Sequence, residues 1–300
     1  MNTAMRTRLQ LAGGRDLDVF VSGPAHGDIL LFHHGTPGSG WPIRTHVNAA
    51  RRLGLRFVAA SRPGYGDSTR QAGRSIVDVV SDSSAVLDAV GAERCFVAGW
   101  SGGGPHALAC SARMPDRIAG VLIIAGVASY RAEGLNFMDG MGADNVVEFG
   151  KAIEGEAVLR PYVERERKHL LAATAEELVM VMSSLLPPVD SAVITAEFGE
   201  DLTAQMHEGL RVSADGWLDD DLAFVKPWGF GLSEVAVPTF LWQGSEDRMV
   251  PFAHGVWLAD QIPGVVAHLE KGEGHVSISV GAIDRMLEEL VAATSMEASE

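Results

Sequence analysis

The chain has 300 residues, 47% hydrophobic and 21% charged, a balance that excludes a disordered or fibrous protein and suffices to fill one large core. Its 24 basic residues against 39 acidic ones give a formal net charge of −15, which repels phosphate backbones and anionic lipid surfaces, so no nucleic-acid or membrane partner is expected. The start, MNTAMRTRLQLAGGRDL, holds no apolar stretch suited to a secretory signal, and no later window holds the roughly eighteen uncharged apolar residues of a membrane helix, so the expectation is a cytoplasmic protein.

Along the chain, DLDVFVSG (16–23), DILLFHHG (28–35), LRFVAASR (55–62), CFVAGW (95–100) and GVLIIAG (120–126) are short and β-prone. The first alternates apolar and polar residues, as a half-exposed strand does. The others are nearly continuous apolar runs, as in strands covered on both faces, which points to a parallel sheet. Helical patterns at 43–53, 75–90 and 104–113 alternate with them, the sequence form of a doubly wound α/β sheet. From 127 to 234 the alternation stops and the pattern is mainly helical, with Met and Leu clusters before Pro187-Pro188. Two strands follow, VPTFLWQG (237–244) and VVAHLEKG (265–272), then an amphipathic helix at 279–293 and a polar tail, TSMEASE. The expected organisation is a core formed by 1–126 and 235–300, interrupted by a helical insertion at 127–234. The run Asp219-Asp220-Asp221 reads as a solvated loop. Cys95 and Cys110, one in a strand and one in a helix, suggest buried free thiols rather than a disulfide or a metal cluster.

Gly99-Trp100-Ser101-Gly102-Gly103 matches G-x-S-x-G, and it follows a predicted strand and opens a predicted helix, the context that separates a nucleophile elbow from an ordinary glycine turn. Glycines two before and two after the serine relieve crowding in such a turn and let the hydroxyl project above the sheet edge. A serine hydroxyl needs a base to take its proton, and that base needs a carboxylate to hold its tautomer. Downstream, LWQGSEDRMVP places Asp247 just after a strand, and LEKGEGHVSI places His275 in the loop after the next. Adjacent histidines on a strand point to opposite faces, which argues against a metal site at His33 and His34.

With the order Ser, Asp, His and the islands HHGTPGSG, SRPGYGDS, GWSGGGP and GSEDRMVP…GHVS, the chain resembles α/β-hydrolase fold serine hydrolases of the capped carboxylesterase and lactonase kind over nearly its full length. The resemblance implies a mostly parallel central sheet flanked by helices, with residues 127–234 as a helical cap over the serine. It implies Ser101 as nucleophile, His275 as general base and then acid, and Asp247 rather than Glu246 as the orienting carboxylate, with Glu133 a more remote fallback. The H-G-x-P turn implies Thr36 as one oxyanion-hole donor, with Gly35 as fallback, and Gly102 as the other. His34 then braces that loop, SRPGYGDS supports the site from below, and His106 is a packed core histidine. Trp100 and the aromatic residues of KPWGFGL are candidates for either pocket wall or core. The expected reaction is cleavage of a small carboxylic ester or lactone through an acyl-enzyme, without a cofactor or metal. The readings left open are an amide or peptide hydrolase of the proline iminopeptidase type, a noncatalytic receptor-like binder, a lyase and a cofactor-free oxygenase. A homodimer is also left open.

Overall fold

The computed structural model describes residues 4–297, and side chains as far as residue 293. It opens with two antiparallel strands, β1 (Met5–Gln10) and β2 (Asp16–Ser22), in the register Met5 opposite Val21. The sequence reading lacked β1. Its MRTRLQ is exposed at almost every position, so this edge strand is defined by pairing with β2 and carries no hydrophobic signature.

β3 (Ile29–His33), β4 (Arg56–Ala60), β5 (Cys95–Trp100), β6 (Ile118–Ile124), β7 (Thr239–Gly244) and β8 (Val266–Glu270) complete an eight-stranded sheet in the order β1-β2-β4-β3-β5-β6-β7-β8. From β4 to β8 every pairing is parallel. Every residue of β3, β5, β6 and β7 is buried, as their apolar runs require. Alternate side chains serve two cores. Leu30, Phe57, Leu122 and Trp242 pack on one face, and Leu31, Val58, Val121 and Leu241 on the other.

In chain order, α1 (Arg44–Arg52), α2 (Val79–Val90) and α3 (Gly104–Arg113) connect the early strands. Between β6 and β7 run α4 (Ala143–Glu154), α5 (Glu156–Ala172), α6 (Ala175–Val181), α7 (Pro188–Val193), α8 (Ala196–Leu210) and α9 (Asp215–Phe224). Then come α10 (Phe252–Gln261) and α11 (His275–Glu297). The last helix is longer than its periodicity suggested, starting at His275 and taking in residues 294–297 of the polar tail, of which 298–300 lie outside the described residues. Among the described residues, no helix is long and apolar enough to cross a membrane. Cys95 and Cys110 are buried and free, and burial pushes each thiol up to about 12.

One expectation is overturned. Asp219, Asp220 and Asp221 form part of α9 and are 1%, 0% and 1% exposed. Successive helix positions point about 100° apart, so the three carboxylates reach different surroundings. Asp219 meets Arg70 at 2.8 Å, Asp220 meets Arg62 and Arg74 at 2.6 Å each, and Asp221 lines an internal cavity.

Candidate active site

At the end of β5 the chain turns through a short 3₁₀ segment, Ser101–Gly103, before α3 begins. Ser101 has φ of 57°, a left-handed conformation rare for a side-chain-bearing residue. A Cβ on Gly99 would strike the Gly103 backbone, and one on Gly103 would strike the His33 carbonyl, so both glycines of the motif are required by close approach. The His106 Nδ1–H donates to the Gly102 carbonyl at 2.8 Å from inside the molecule, and burial holds its imidazole well below the usual range. It is the core histidine the sequence suggested.

Asp247 lies in the loop after β7, 4% exposed. Its Oδ1 accepts the backbone N–H groups of Met249 and Val250, each at 2.8 Å, and Oδ2 accepts the Gln243 amide at 3.0 Å. The same Oδ2 accepts His275 Nδ1–H at 2.8 Å. Glu246, its neighbour, is exposed and accepts only from the Ser245 hydroxyl. With Nδ1 committed as a donor, the basic nitrogen of neutral His275 is Nε2. Burial disfavours charge on His275, but the Asp247 carboxylate and its hydrogen bond outweigh this, with a smaller contribution from Asp190, and its pKa is raised. The ring stacks on Trp100, centroids 5.5 Å apart.

The turn after β3 is held from two sides. The Gly35 carbonyl accepts from His34 Nδ1–H at 2.8 Å and Arg62 Nη2 at 3.1 Å, and the His34 carbonyl accepts from Arg62 Nη1 at 2.5 Å. The Thr36 hydroxyl donates to Asp220 at 2.7 Å and accepts from Arg62 at 3.0 Å. The Thr36–Pro37 peptide is cis. Thr36 and Gly102 are neighbours: a Cβ on Gly102 would lie 2.5 Å from Thr36 Oγ1. Tyr65 also donates to Asp220, at 2.8 Å. Burial would raise the Asp220 carboxyl, but the Arg62 and Arg74 guanidiniums outweigh it and hold it well below the carboxylate range.

Gly35, Thr36, Trp100, Ser101, Gly102 and His275 all line one cavity of about 340 Å3. Residues of α4, α5, α6, α8 and α9 supply much of its remaining wall. Trp100 belongs to this wall. Trp228 and Phe230 of KPWGFGL do not. They stack on each other at 5.8 Å, and Trp228 packs in the core. The aromatic wall from the insertion includes Phe149, Trp217 and Phe224 instead.

Two residues without a role in the sequence reading hold the site together. Arg62, inside SRPGYGDS, ties the His34–Thr36 turn to Asp220. Asp190, in α7, accepts the backbone N–H groups of His275, Val276 and Ser277. The first could be suspected from its motif island, whereas nothing local to Asp190 signals its partner. Among the described residues, no group of three or more His, Cys, Asp or Glu side chains is arranged to hold a metal ion.

Residues 28–282 match the family model for the alpha/beta hydrolase fold. Epoxide hydrolase B of Mycobacterium tuberculosis is 37% identical over 102 residues, 33% of this chain and 29% of that protein, so the match spans under a third of that relative's length. The 2-hydroxy-6-oxononadienedioate/2-hydroxy-6-oxononatrienedioate hydrolase of Paraburkholderia phymatum is 24% identical over 283 residues, 88% of this chain and 87% of that one. Among solved structures, an esterase from Exiguobacterium antarcticum superposes with a TM-score of 0.68 at 18% identity, covering 97% of this chain and all of the other.

Proposed function

This chain belongs to the alpha/beta hydrolase fold family, and we propose that within it the protein is a serine hydrolase cleaving a small carboxylic ester or lactone. In this reading Ser101 attacks the carbonyl carbon and His275 Nε2 takes the hydroxyl proton. The backbone N–H groups of Thr36 and Gly102 stabilise the oxyanion that appears only in the tetrahedral state. His275 then hands the proton to the leaving alcohol, and a water activated by the same nitrogen cleaves the acyl-enzyme. Asp247 holds the tautomer and steadies the imidazolium. Residues 127–234 serve as the cap over the serine.

The observation that carries the reading is the Asp247–His275 hydrogen bond at 2.8 Å, with His275 on the wall of the cavity that Ser101 also lines. An aspartate nucleophile, which the resemblance associates with epoxide hydrolases, is absent from the elbow, where Ser101 stands. A substrate like the dioate in the name of the Paraburkholderia relative carries two negative charges. The cavity here has Asp144, Glu148, Glu166 and Asp221 on its wall and, among the described residues, no Arg or Lys, which disfavours such a dianion.

The test pairs a fluorophosphonate probe with a panel of p-nitrophenyl esters and lactones. Turnover with labelling at Ser101, both lost in Ser101→Ala, is expected. Labelling without turnover of any member would overturn the esterase reading in favour of a binding role, and turnover that survives Ser101→Ala would overturn the nucleophile.

A further inference from the structure

The four acids on the cavity wall differ in how they are balanced. Glu166 is paired with Arg165 at 2.7 Å and His169 at 3.1 Å, and Asp144 accepts the Ser184 hydroxyl at 2.6 Å. Glu148, on α4, is half-buried on the wall, and the donor that meets its carboxylate is Trp217 Nε1–H at 2.8 Å. Asp221 is 1% exposed and lines the same cavity; among the described residues no cation, hydroxyl or backbone N–H donates to either of its carboxylate oxygens, and its contact is with the Glu148 carboxyl. Buried carboxylates are ordinarily paired, and the neighbouring members of the same run show it: Asp219 has Arg70, and Asp220 has Arg62 and Arg74. Asp221 is the exception, and Glu148 beside it is a second carboxyl without a cation. Burial raises Glu148 to about 7, opposed by the hydrogen bonds of Trp217 and Asp221, while burial and the Glu148 charge hold Asp221 well above the usual carboxylate range, so the two carboxyls share a proton when nothing else occupies them.

A carboxyl pair on a ligand cavity with no cation beside it lacks a partner that donates several N–H groups and brings positive charge. We propose that Glu148 and Asp221 form a subsite for a protonated amine or other ammonium group, so that the substrate is an ester or lactone bearing a basic nitrogen. The ammonium would donate to both carboxylates and displace their shared proton. Trp217, whose Nε1–H meets Glu148, lines the same wall. The subsite is close to the proposed chemistry. Asp221 follows Asp220, which holds the Thr36 hydroxyl, and Phe224 of the same helix reaches Gly102, where a Cβ would meet its Cζ at 2.8 Å.

The assignment of substrate class rests on the serine hydrolase reading, but binding at the subsite can be read without turnover. Calorimetry with benzylammonium chloride and with benzyl alcohol, a neutral analogue of similar shape, compares affinities for the intact protein at pH 7. The charged probe is expected to bind about 10- to 100-fold tighter, the range for a charge-assisted hydrogen-bonded contact. Glu148→Gln and Asp221→Asn should each cut that preference by about tenfold or more, with the neutral probe as the reference for pocket integrity in each variant. Because Asp221 lies within the packed α9, Glu148→Gln carries the test if Asp221→Asn fails to fold. In parallel, kcat/KM for esters with an amine on the acyl or the alcohol side is compared with that of methyl-terminated analogues, and the same amine preference is expected. Equal affinity of the two probes in the wild type, or an undiminished preference in Glu148→Gln, overturns the subsite. Probe discrimination without fluorophosphonate labelling at Ser101 would instead sustain the subsite and sink the hydrolase reading.

Discussion

Asp190 and His275 lie 85 positions apart, and the carboxylate of the first caps the helix that begins at the second. Asp190 Oδ2 accepts the His275 N–H at 2.9 Å, and Oδ1 accepts those of Val276 and Ser277 at 2.9 and 2.8 Å. Three of the four N–H groups that a helix start leaves unpaired are thereby satisfied by a residue of α7, with no exposure to solvent. The helix start that carries the imidazole is fastened to α7.

Asp190→Ala strands these donors and should cost about 1–3 kcal/mol in urea unfolding. It should also lower kcat by tenfold or more as the ring loses its fixed position. Asp190→Asn keeps an acceptor oxygen but not the charge, so it should recover much of kcat. Because Asp190 helps raise the His275 pKa, the acid limb of the pH profile should move to lower pH in both variants. A purely structural role would leave that limb where it is in Asp190→Asn.

Ser101→Ala and His275→Ala should each remove nearly all kcat, on the order of 10⁶-fold, as in other triads. Asp247→Asn should lose less, about 10⁴-fold, because the amide can present the wrong hydrogen-bonding face to Nδ1. Glu246→Gln, at an exposed carboxylate, should stay within about twofold of the wild type. Steady-state kinetics on the best ester from the panel decides among them. A silent Asp247→Asn would displace Asp247 as the orienting acid.

Gly102→Ala tests the oxyanion turn. The added methyl would meet Thr36 Oγ1 at 2.5 Å and Phe224 Cζ at 2.8 Å, pushing apart the two segments whose N–H groups are proposed to converge on the substrate oxygen. Loss of one such donor typically lowers kcat by about 10²- to 10³-fold. The expected result is a fall of this size with KM changed little and the thermal midpoint within a few degrees of the wild type. Full activity in this variant would place the oxyanion elsewhere.

The buried strands and the elbow were legible because their causes are local. A run such as CFVAGW has to be covered on both faces, and the serine turn needs glycine wherever backbone comes too close for a Cβ. Asp247 and His275 were legible through chain order and loop position. β1 was not, since its polar side chains leave only backbone pairing to define it. The Asp219–Asp221 run misled because charge density by itself indicates a wet surface, whereas Asp219 and Asp220 are buried against Arg62, Arg70 and Arg74, about 150 positions away, and Asp221 against a cavity. Asp190 was silent for the same reason, its partners being backbone N–H groups that no side-chain pattern records.

The pH dependence of activity and of stability should have separate origins. The proposed mechanism requires neutral His275, whose pKa is raised above the ordinary 6.5, so kcat/KM should rise with pH through that higher value and level off beyond it. Between pH 6.5 and 4 the five histidines buried in the neutral form outnumber the two carboxyls that act against them, Glu148 and Asp221, whose raised folded values add stability as pH falls. Burial lowers His33 to about 3 and His46 and His254 to about 4, and holds His34 and His106 well below 6.5. Below pH 6.5 the unfolded chain takes up protons that these five do not, so stability falls from about 6.5 down to the folded values. His275 acts in the opposite sense, its contribution being complete below 6.5 and lost as pH rises through its folded pKa. Each lowered histidine amounts to about 2 kcal/mol at pH 5. The thermal midpoint should therefore drop steeply between pH 6.5 and 4. A midpoint that holds steady across that interval would mean these imidazoles are protonated in the fold.

Asp220→Ala should be the most damaging substitution outside the proposed triad. Its carboxylate meets Arg62 and Arg74, whose side chains are 2% and 3% exposed, and accepts from Tyr65 and Thr36. Two buried guanidiniums would be left without their anion, and removing one partner of such a pair costs about 3–5 kcal/mol. Arg62 also donates to the His34 and Gly35 carbonyls, so the same change loosens the turn that carries Thr36. Asp220→Asn, which preserves shape but not charge, should lie between the alanine variant and the wild type in urea unfolding. In both variants kcat should fall along with stability, because Arg62 turns toward whatever acceptor remains. A loss below about 1 kcal/mol in Asp220→Ala, as for an exposed pair, would mean that water reaches these arginines and that the turn is held by its own backbone alone.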